Sequence, residues 1–328
     1  DKFRIVKWQL FVGAFYLTML AILLTGFFLR DRQQEWQLRK EQAQHRLDLA
    51  FELMTRDLQR VQSDVLFLAN HQDVQQFVST TAGDIKSKLQ TAFTNFVSHK
   101  RSYQQLRLLS LEGREQVRVE RRVDRVIATP TEKLQDKGGR YYFQESRNLK
   151  IGEVFVSEFD LNQEHGVIEQ PLRPVIRFVT PVAGESGDPA ALLVLNYLGT
   201  PLLNELASIS MPGQTWLTRD DGQYLLAARP DQAWGWLLGH QHSFASAFPI
   251  AWQQRSANTE AFLDGQGAFA FREIQLQPLA TEVAGLRPDA NSLYLVSYLP
   301  PDQVFEKSKL LLGRLMLLGF VSLLPVVW

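Results

Sequence analysis

The chain contains no cysteine, which removes disulfide frameworks, zinc–thiolate sites and cysteine nucleophiles together. The absence suits an oxidising compartment, where stray thiols are a liability, without requiring one. Charge of one sign is not in excess either. Thirty-five basic residues balance 35 acidic ones, so the concentrated basic footprint that nucleic-acid binding demands is missing. Histidine is scarce, with six in 328 residues. His45, His71, His99 and His165 stand alone, as surface or capping residues do. His240 and His242 form the one close pair; on a strand both imidazoles would share a face, but no third ligand follows at a recognisable spacing. The phosphate loop, the GxSxG elbow, HExxH and the dinucleotide GxGxxG are all lacking. Asp220-Asp221-Gly222 and Asp264-Gly265 read as turns, because the remaining ligands of a calcium loop are absent. No catalytic residue, metal or cofactor is therefore expected.

What the chain does have is apolar ends. Residues 8–29 (WQLFVGAFYLTMLAILLTGFFL) carry no charge, and at 1.5 Å per residue such a helix crosses a hydrocarbon core of roughly 30 Å. The run is too long for the apolar part of a signal peptide, and no small-residue cleavage pattern follows it. Residues 310–328 (LLLGRLMLLGFVSLLPVVW) hold one charge, Arg314, near enough to the start to snorkel, and read as the beginning of a second span. Lys2, Arg4 and Lys7 precede the first span and favour a cytoplasmic start. Residues 31–306 are then expected in the periplasm of a bacterium, anchored in its inner membrane, with an output domain beyond Trp328.

Between the spans, residues 31–69 contain neither Gly nor Pro and predict one long helix. Leu47, Phe51, Met54, Leu58, Val61, Val65 and Leu68 follow four-three spacing over about three heptads. Two readings stay open: the seam of a parallel dimer stalk, or a helix packed along its own domain. A second helix is expected over residues 85–100, after which the period changes to two. Residues 106–111 and 117–120 flank a turn and predict a hairpin, and strands follow at 153–159, 174–182 and 191–198. The second half echoes the first. Residues 216–226 resemble the 108–119 hairpin, 296–301 (VSYLPP) resemble 195–201 (LNYLGTP), and a further hairpin is predicted at 261–271. A duplicated antiparallel-sheet unit is the economical explanation.

This order of elements, together with residues 140–145 (RYYFQE), 152–157 (GEVFVS), 173–182 (RPVIRFVTPV) and 193–199 (LVLNYLG), resembles the double Cache family. These are tandem PAS-like sensor regions of bacterial histidine kinases, chemoreceptors and diguanylate cyclases, and the histidine kinase members are the most similar. The resemblance implies an α+β chain: a membrane helix (1–30), a stalk helix (31–69), a membrane-distal PAS-like domain (70–208) holding the ligand pocket, a membrane-proximal one (209–300), and a linker with the start of a second membrane helix (301–328). Amino-acid-binding members carry Arg-x-Trp-Tyr, whose arginine grips the ligand carboxylate. Arg140-Tyr141-Tyr142-Phe143 keeps the arginine and an aromatic wall, but the tyrosine expected five residues earlier is Gln135. The positions matching the acids that hold the ligand ammonium are Ser157 and Asn196.

Arg140, Tyr142, Phe143, Ser157, Asp160, Arg177 and Asn196 are thus the candidate ligand residues. An unpaired buried ammonium is costly, so a carboxylate or other anion is expected rather than a zwitterionic amino acid. The competing reading is that Arg140 and Arg177 pair with internal acids such as Glu145, Asp160 or Glu169. The expected function is ligand sensing by a homodimeric receptor whose output domain is a histidine kinase, with no catalysis in this region; the alternatives are a two-span scaffold whose outer domains bind a protein, or the sensor region of a diguanylate cyclase or chemoreceptor.

Overall fold

The computed structural model describes residues 2–80, 83–122, 125–164, 166–209, 212–256, 261–276 and 292–323. His165 and the last five residues of the expected second span lie outside these segments. The chain is α+β, with two antiparallel sheets strung along one helix.

Helix α1 (Lys2–Ala69) runs unbroken for 68 residues, joining the apolar run and the expected stalk. Among the described residues it is the one helix long and apolar enough to cross a membrane. Helices α2 (Gln72–Ser79) and α3 (Gly83–His99) turn back from it, α3 burying Leu89, Phe93 and Val97.

The first sheet collects β1 (Tyr103–Leu109), β2 (Glu115–Arg121), β3 (Val126–Ala128), β4 (Phe155–Val156), β5 (Asp160–Leu161), β8 (Pro174–Ala183) and β9 (Pro189–Leu198). Short helix α4 (Tyr141–Ser146) and the small hairpin of β6 (Gln163–Glu164) and β7 (Val167–Ile168) lie in the long excursion between β3 and β8. The strand order is β3-β2-β1-β9-β8-β4, with β5 also on β8. The expected strand at 153–159 shrinks to β4 because side chains take over its flanks: Thr180 Oγ1 donates to Glu153 O at 2.8 Å, and the Arg177 N–H donates to Ser157 Oγ at 2.8 Å.

After α5 (Thr200–Ala207), the second sheet follows with β10 (Gln214–Arg219), β11 (Tyr224–Leu226), β12 (Phe262–Asp264), β13 (Gly267–Gln275) and β14 (Ser292–Leu299) in the order β11-β10-β14-β13-β12. Helices α6 (Gly235–Leu238), α7 (Phe244–Ala247) and α8 (Pro249–Gln254) cover it, and α9 (Pro301–Val304) leads into α10 (Glu306–Leu323). The orders β2-β1-β9-β8 and β11-β10-β14-β13 match. Both sequence echoes fall on equivalent strands of this pattern: β1–β2 with β10–β11, and β9 with β14.

The four-three stripe of α1 is consumed inside the subunit. Leu47, Met54, Leu58, Val61 and Val65 are wholly buried, Leu68 nearly so, in one core with Leu106, Ile176, Phe178 and Leu195 of the first sheet and Leu295 of the second. Phe51 is half-buried beneath the Arg272 guanidinium, 3.8 Å from its ring centre. The dimer-seam expectation for these seven residues is corrected accordingly: each sheet needs an apolar lid, and the stripe supplies it. Polar anchors fix the helix along its length. Asp48 pairs with Arg272, Asp57 accepts from Tyr197 OH at 2.6 Å, and Asp64 accepts from Tyr103 OH. Buried Arg46 donates to Ser297 Oγ at 3.0 Å and to Pro212 O, and burial pushes its pKa down to about 10.

Candidate functional site

Strand alternation divides the first sheet into two unlike faces. Leu106 and Leu108 of β1, Ile176 and Phe178 of β8, and Leu193 and Leu195 of β9 point to α1. The opposite face carries Gln105, Arg107, Arg118, Arg177 and Asn196, all buried beneath the β3–β8 excursion. A buried guanidinium persists only when paired and hydrogen-bonded, and each of these arginines is.

Arg177 Nη1 meets Asp160 Oδ1 at 2.7 Å, and its guanidinium lies 5.1 Å above the Tyr142 ring. Burial opposes the Arg177 charge, but Asp160 outweighs it and holds the pKa above the usual arginine value. Tyr141 OH donates to the other Asp160 oxygen at 3.0 Å. Arg107 donates from Nη1 to Tyr142 OH at 3.0 Å and from Nη2 to Asn196 Oδ1 at 2.7 Å, while the Asn196 amide turns to Gln104 and Gln105.

The structure therefore brings together Tyr142, Ser157, Asp160, Arg177 and Asn196 of the expected ligand residues. They bind one another and Arg107 rather than an open space. Phe143 joins an apolar cluster with Leu109, Leu149, Phe155 and Val194. Arg140 stands apart and half-buried, its Nη1 3.1 Å from Gln163 Oε1. For Arg177 the internal pairing with Asp160 holds. For Arg140 the partner is an amide; Glu145 is exposed, and Glu169 pairs with Arg173 at 3.2 Å.

Open space lies beside this network. A cleft of about 380 Å³ is lined by β1 and β2, the chain after β3, and the β6–β7 hairpin. Its walls carry five cations, Arg118, Arg121, Arg122, Lys133 and Arg173, against three carboxylates, Glu120, Glu164 and Glu169. None of the expected ligand residues lines it. Arg118 links Glu120 and Glu164, the latter at 3.1 Å, and approaches Glu115 at 3.8 Å. Burial alone would raise the Glu164 pKa, but Arg118, the Gln105 amide and Lys137 pull it down to about 2. Lys137, buried and donating to Gln135 Oε1 at 2.6 Å, is pushed down to about 8 by burial and by the charge of Arg107.

A trace of this cleft is visible in the sequence. In EQVRVER of β2, apolar Val117 and Val119 alternate with Arg118 and Glu120, a pattern that reads as a strand with one wet face; here that face is buried. Gln105 and Arg107 repeat it on β1. His240 and His242 lie outside any strand, their rings 5.1 Å apart, with His240 Nε2 against Ala233 O at 3.1 Å.

A second polar contact joins the two helices at the ends of the chain. The buried Glu35 carboxylate of α1 accepts from Ser308 N at 2.9 Å, Ser308 Oγ at 2.7 Å and Lys307 N at 3.1 Å, at the start of α10. Burial pushes the Glu35 pKa up, but these bonds outweigh it and the net displacement is downward. Arg39 closes the contact through Glu35 at 3.5 Å and Val304 O at 3.4 Å.

The architecture has known counterparts. A domain of a protein described as belonging to the sensory box/GGDEF family, from Vibrio parahaemolyticus, is 19% identical, covers 82% of this chain and 99% of its own, and superposes with a TM-score of 0.69. The extracellular domain of a protein described as a histidine kinase is 18% identical over 85% of this chain and 96% of its own, TM-score 0.68. A second such domain is 13% identical over 85% and 99%, TM-score 0.53. At these identities the likeness is one of fold. No curated protein matches the chain. The model of the bacterial histidine kinase sensor domain matches residues 38–285, which takes in the stripe of α1, the first sheet and every strand of the second but β14, and the chain belongs to that family of sensor domains.

Proposed function

We propose that this sensor region takes up a small anion outside the cytoplasm and passes its bound state to the membrane. In this reading the first sheet unit, residues 70–208, is membrane-distal and holds the ligand. The second, residues 209–300, is membrane-proximal, and α10 opens a second span leading to an output domain, a histidine kinase. The observation that carries the reading is the cleft beside β2, whose walls hold two more cations than carboxylates. The carboxylates are already held by arginines: Glu120 by Arg118 and Arg122, Glu164 by Arg118, Glu169 by Arg173. The surplus, Arg121 and Lys133, favours a ligand with one or two negative charges, a carboxylate or a phosphate ester, held by charge-assisted donors. An amino-acid ammonium would find no unpaired acid there.

Transmission follows from α1. A single helix forms part of both cores and grips the start of α10 through Glu35, so displacement in the first sheet acts on both membrane-facing helices. We further propose a homodimer along the outer line of α1, where Leu38, Leu49 and Phe67 are 41%, 38% and 62% exposed. Their separations of 11 and 18 residues are about three and five helical turns, which puts them on one side.

The test is a thermal-shift screen of the full chain in nanodiscs against small carboxylates and phosphates. A ligand at a hundred times its Kd stabilises the folded state by about 2.7 kcal/mol. The shift should shrink in the exposed-rim variants Arg122→Ala and Lys133→Ala. A stabilising anion indifferent to both would place the site elsewhere, and no stabilisation by any anion would turn the reading toward a protein partner.

A further inference from the structure

Where the β12–β13 hairpin comes down beside α1, an open groove of about 600 Å³ is walled by Leu29, Trp36, Phe262, Leu263 and Phe305, with Arg32 along its side. Leu29 and Leu263 are 57% and 42% exposed, and the three aromatic side chains are half-buried. The Arg32 guanidinium lies 4.3 Å from the centre of the Phe305 ring, which leaves its donor edge open to solvent.

The height of this groove is set by α1. The apolar run ends at Leu29, and the helix continues without a break to Trp36, about 10 Å further along the axis at 1.5 Å per residue. The polar layer of one leaflet is roughly 5 to 8 Å thick. The groove therefore begins at the edge of the hydrocarbon and ends near the outer limit of the headgroups. Aromatic rings and a snorkelling arginine are the side chains that this layer selects. Away from a membrane, so much exposed apolar surface on a hairpin tip and a helix flank would be a liability.

We propose that the groove docks a glycerophospholipid of the leaflet facing the sensor domain, with its phosphate on Arg32 and its upper acyl chain along Leu29, Phe262 and Leu263. The second sheet then rests on the bilayer surface through its hairpin as well as hanging from α1. The inference rests on reading the α1 apolar run as a membrane span.

The lack of native cysteine makes the test direct. Single cysteines at Leu263, at Val167 in the β6–β7 hairpin and at Met19 in the apolar run are labelled with a fluorophore in the full chain, reconstituted in nanodiscs containing nitroxide phospholipids. The expected result is quenching at 263 several times that at 167. Equal quenching at 263 and 167, with Met19 quenched by acyl-chain nitroxide, overturns the docking while the span stands. An unquenched Met19 site overturns the span itself and the docking with it. Arg32→Glu in the Leu263→Cys background should lower quenching by a headgroup nitroxide toward the level at 167. Unchanged quenching overturns the proposal, because a hairpin held near the bilayer by height alone would be indifferent to that charge.

Discussion

The two sheets share a strand order and an apolar face against α1, yet fill their other faces with opposite chemistry. The first buries Arg107, Arg118, Arg177 and Asn196 under ion pairs and amides. The second buries rings: Trp216 stacks on Tyr298 at 4.6 Å and on Phe248 at 5.6 Å, and Phe244 meets Phe271 edge-on at 5.6 Å. Aromatic packing is area-driven, and the donors of Trp216 and Tyr298 are already spent on Gln214 Oε1 and Gln266 O. A charged interior is held by geometry, so a ligand that competes for one guanidinium disturbs several neighbours. On the proposed reading, the same frame provides a responsive unit and a stiff one.

The largest effects should separate the two interiors. Arg177→Ala leaves the half-buried Asp160 without its guanidinium and should cost about 3 kcal/mol in denaturant unfolding of the full chain. The double replacement Arg177→Met with Asp160→Leu should recover most of that loss, since a buried pair exchanged for apolar residues is often neutral. Phe244→Ala should cost a similar 3–5 kcal/mol by cavity formation, with no paired replacement able to relieve it. If the double variant unfolds as easily as Arg177→Ala, the first sheet depends on side-chain size as the second does, and the contrast fails.

Acid should sharpen it further. The Glu164 pKa is depressed, from the ordinary 4.5 to about 2. Its contribution is fully present above about pH 4.5 and is lost as pH falls through 2, with a total on the order of 3 kcal/mol. Glu164→Gln should flatten the stability curve across that window. Phe244→Ala should lower the whole curve without changing its slope there.

How α1 divides its surface governs the smallest effect. Cysteines at Leu49 and Phe67 should crosslink between chains in membranes, whereas cysteines at Leu47 and Met54, buried in the shared core, should not. Crosslinking confined to Leu47 and Met54 would mean that the stripe leaves its own sheets in the membrane.

Much of the frame was legible because it is periodic. The apolar run, the α1 stripe and the long strands β1, β8 and β9 each show a clean repeat, and the echoed pairs fell on equivalent strands. The short elements did not show themselves. β5, β6 and β7 are two residues each, and α2 was missed entirely. The site was half legible. Arg177 and Asp160 were candidates for pairing, but Arg107 and Arg118 looked like the solvent side of ordinary strands. Alternation reports that two faces differ; it does not report what covers each. The direction of the α1 stripe was hidden for the same reason, since four-three spacing serves a partner helix and a sheet lid alike.

The way α1 is buried also has a consequence for biogenesis. Its stripe leaves the ribosome well before the strands that cover it, as with Arg46, whose partner Ser297 lies 251 residues downstream. Contacts so distant in sequence form late and slowly. Until β8 and β9, and then β13 and β14, arrive, the helix presents a bare apolar stripe, the kind of surface that aggregates or recruits a chaperone. With residues 8–29 read as a membrane span, their insertion tethers that helix and orients it, so the sheets assemble onto a fixed spine instead of searching for a free one.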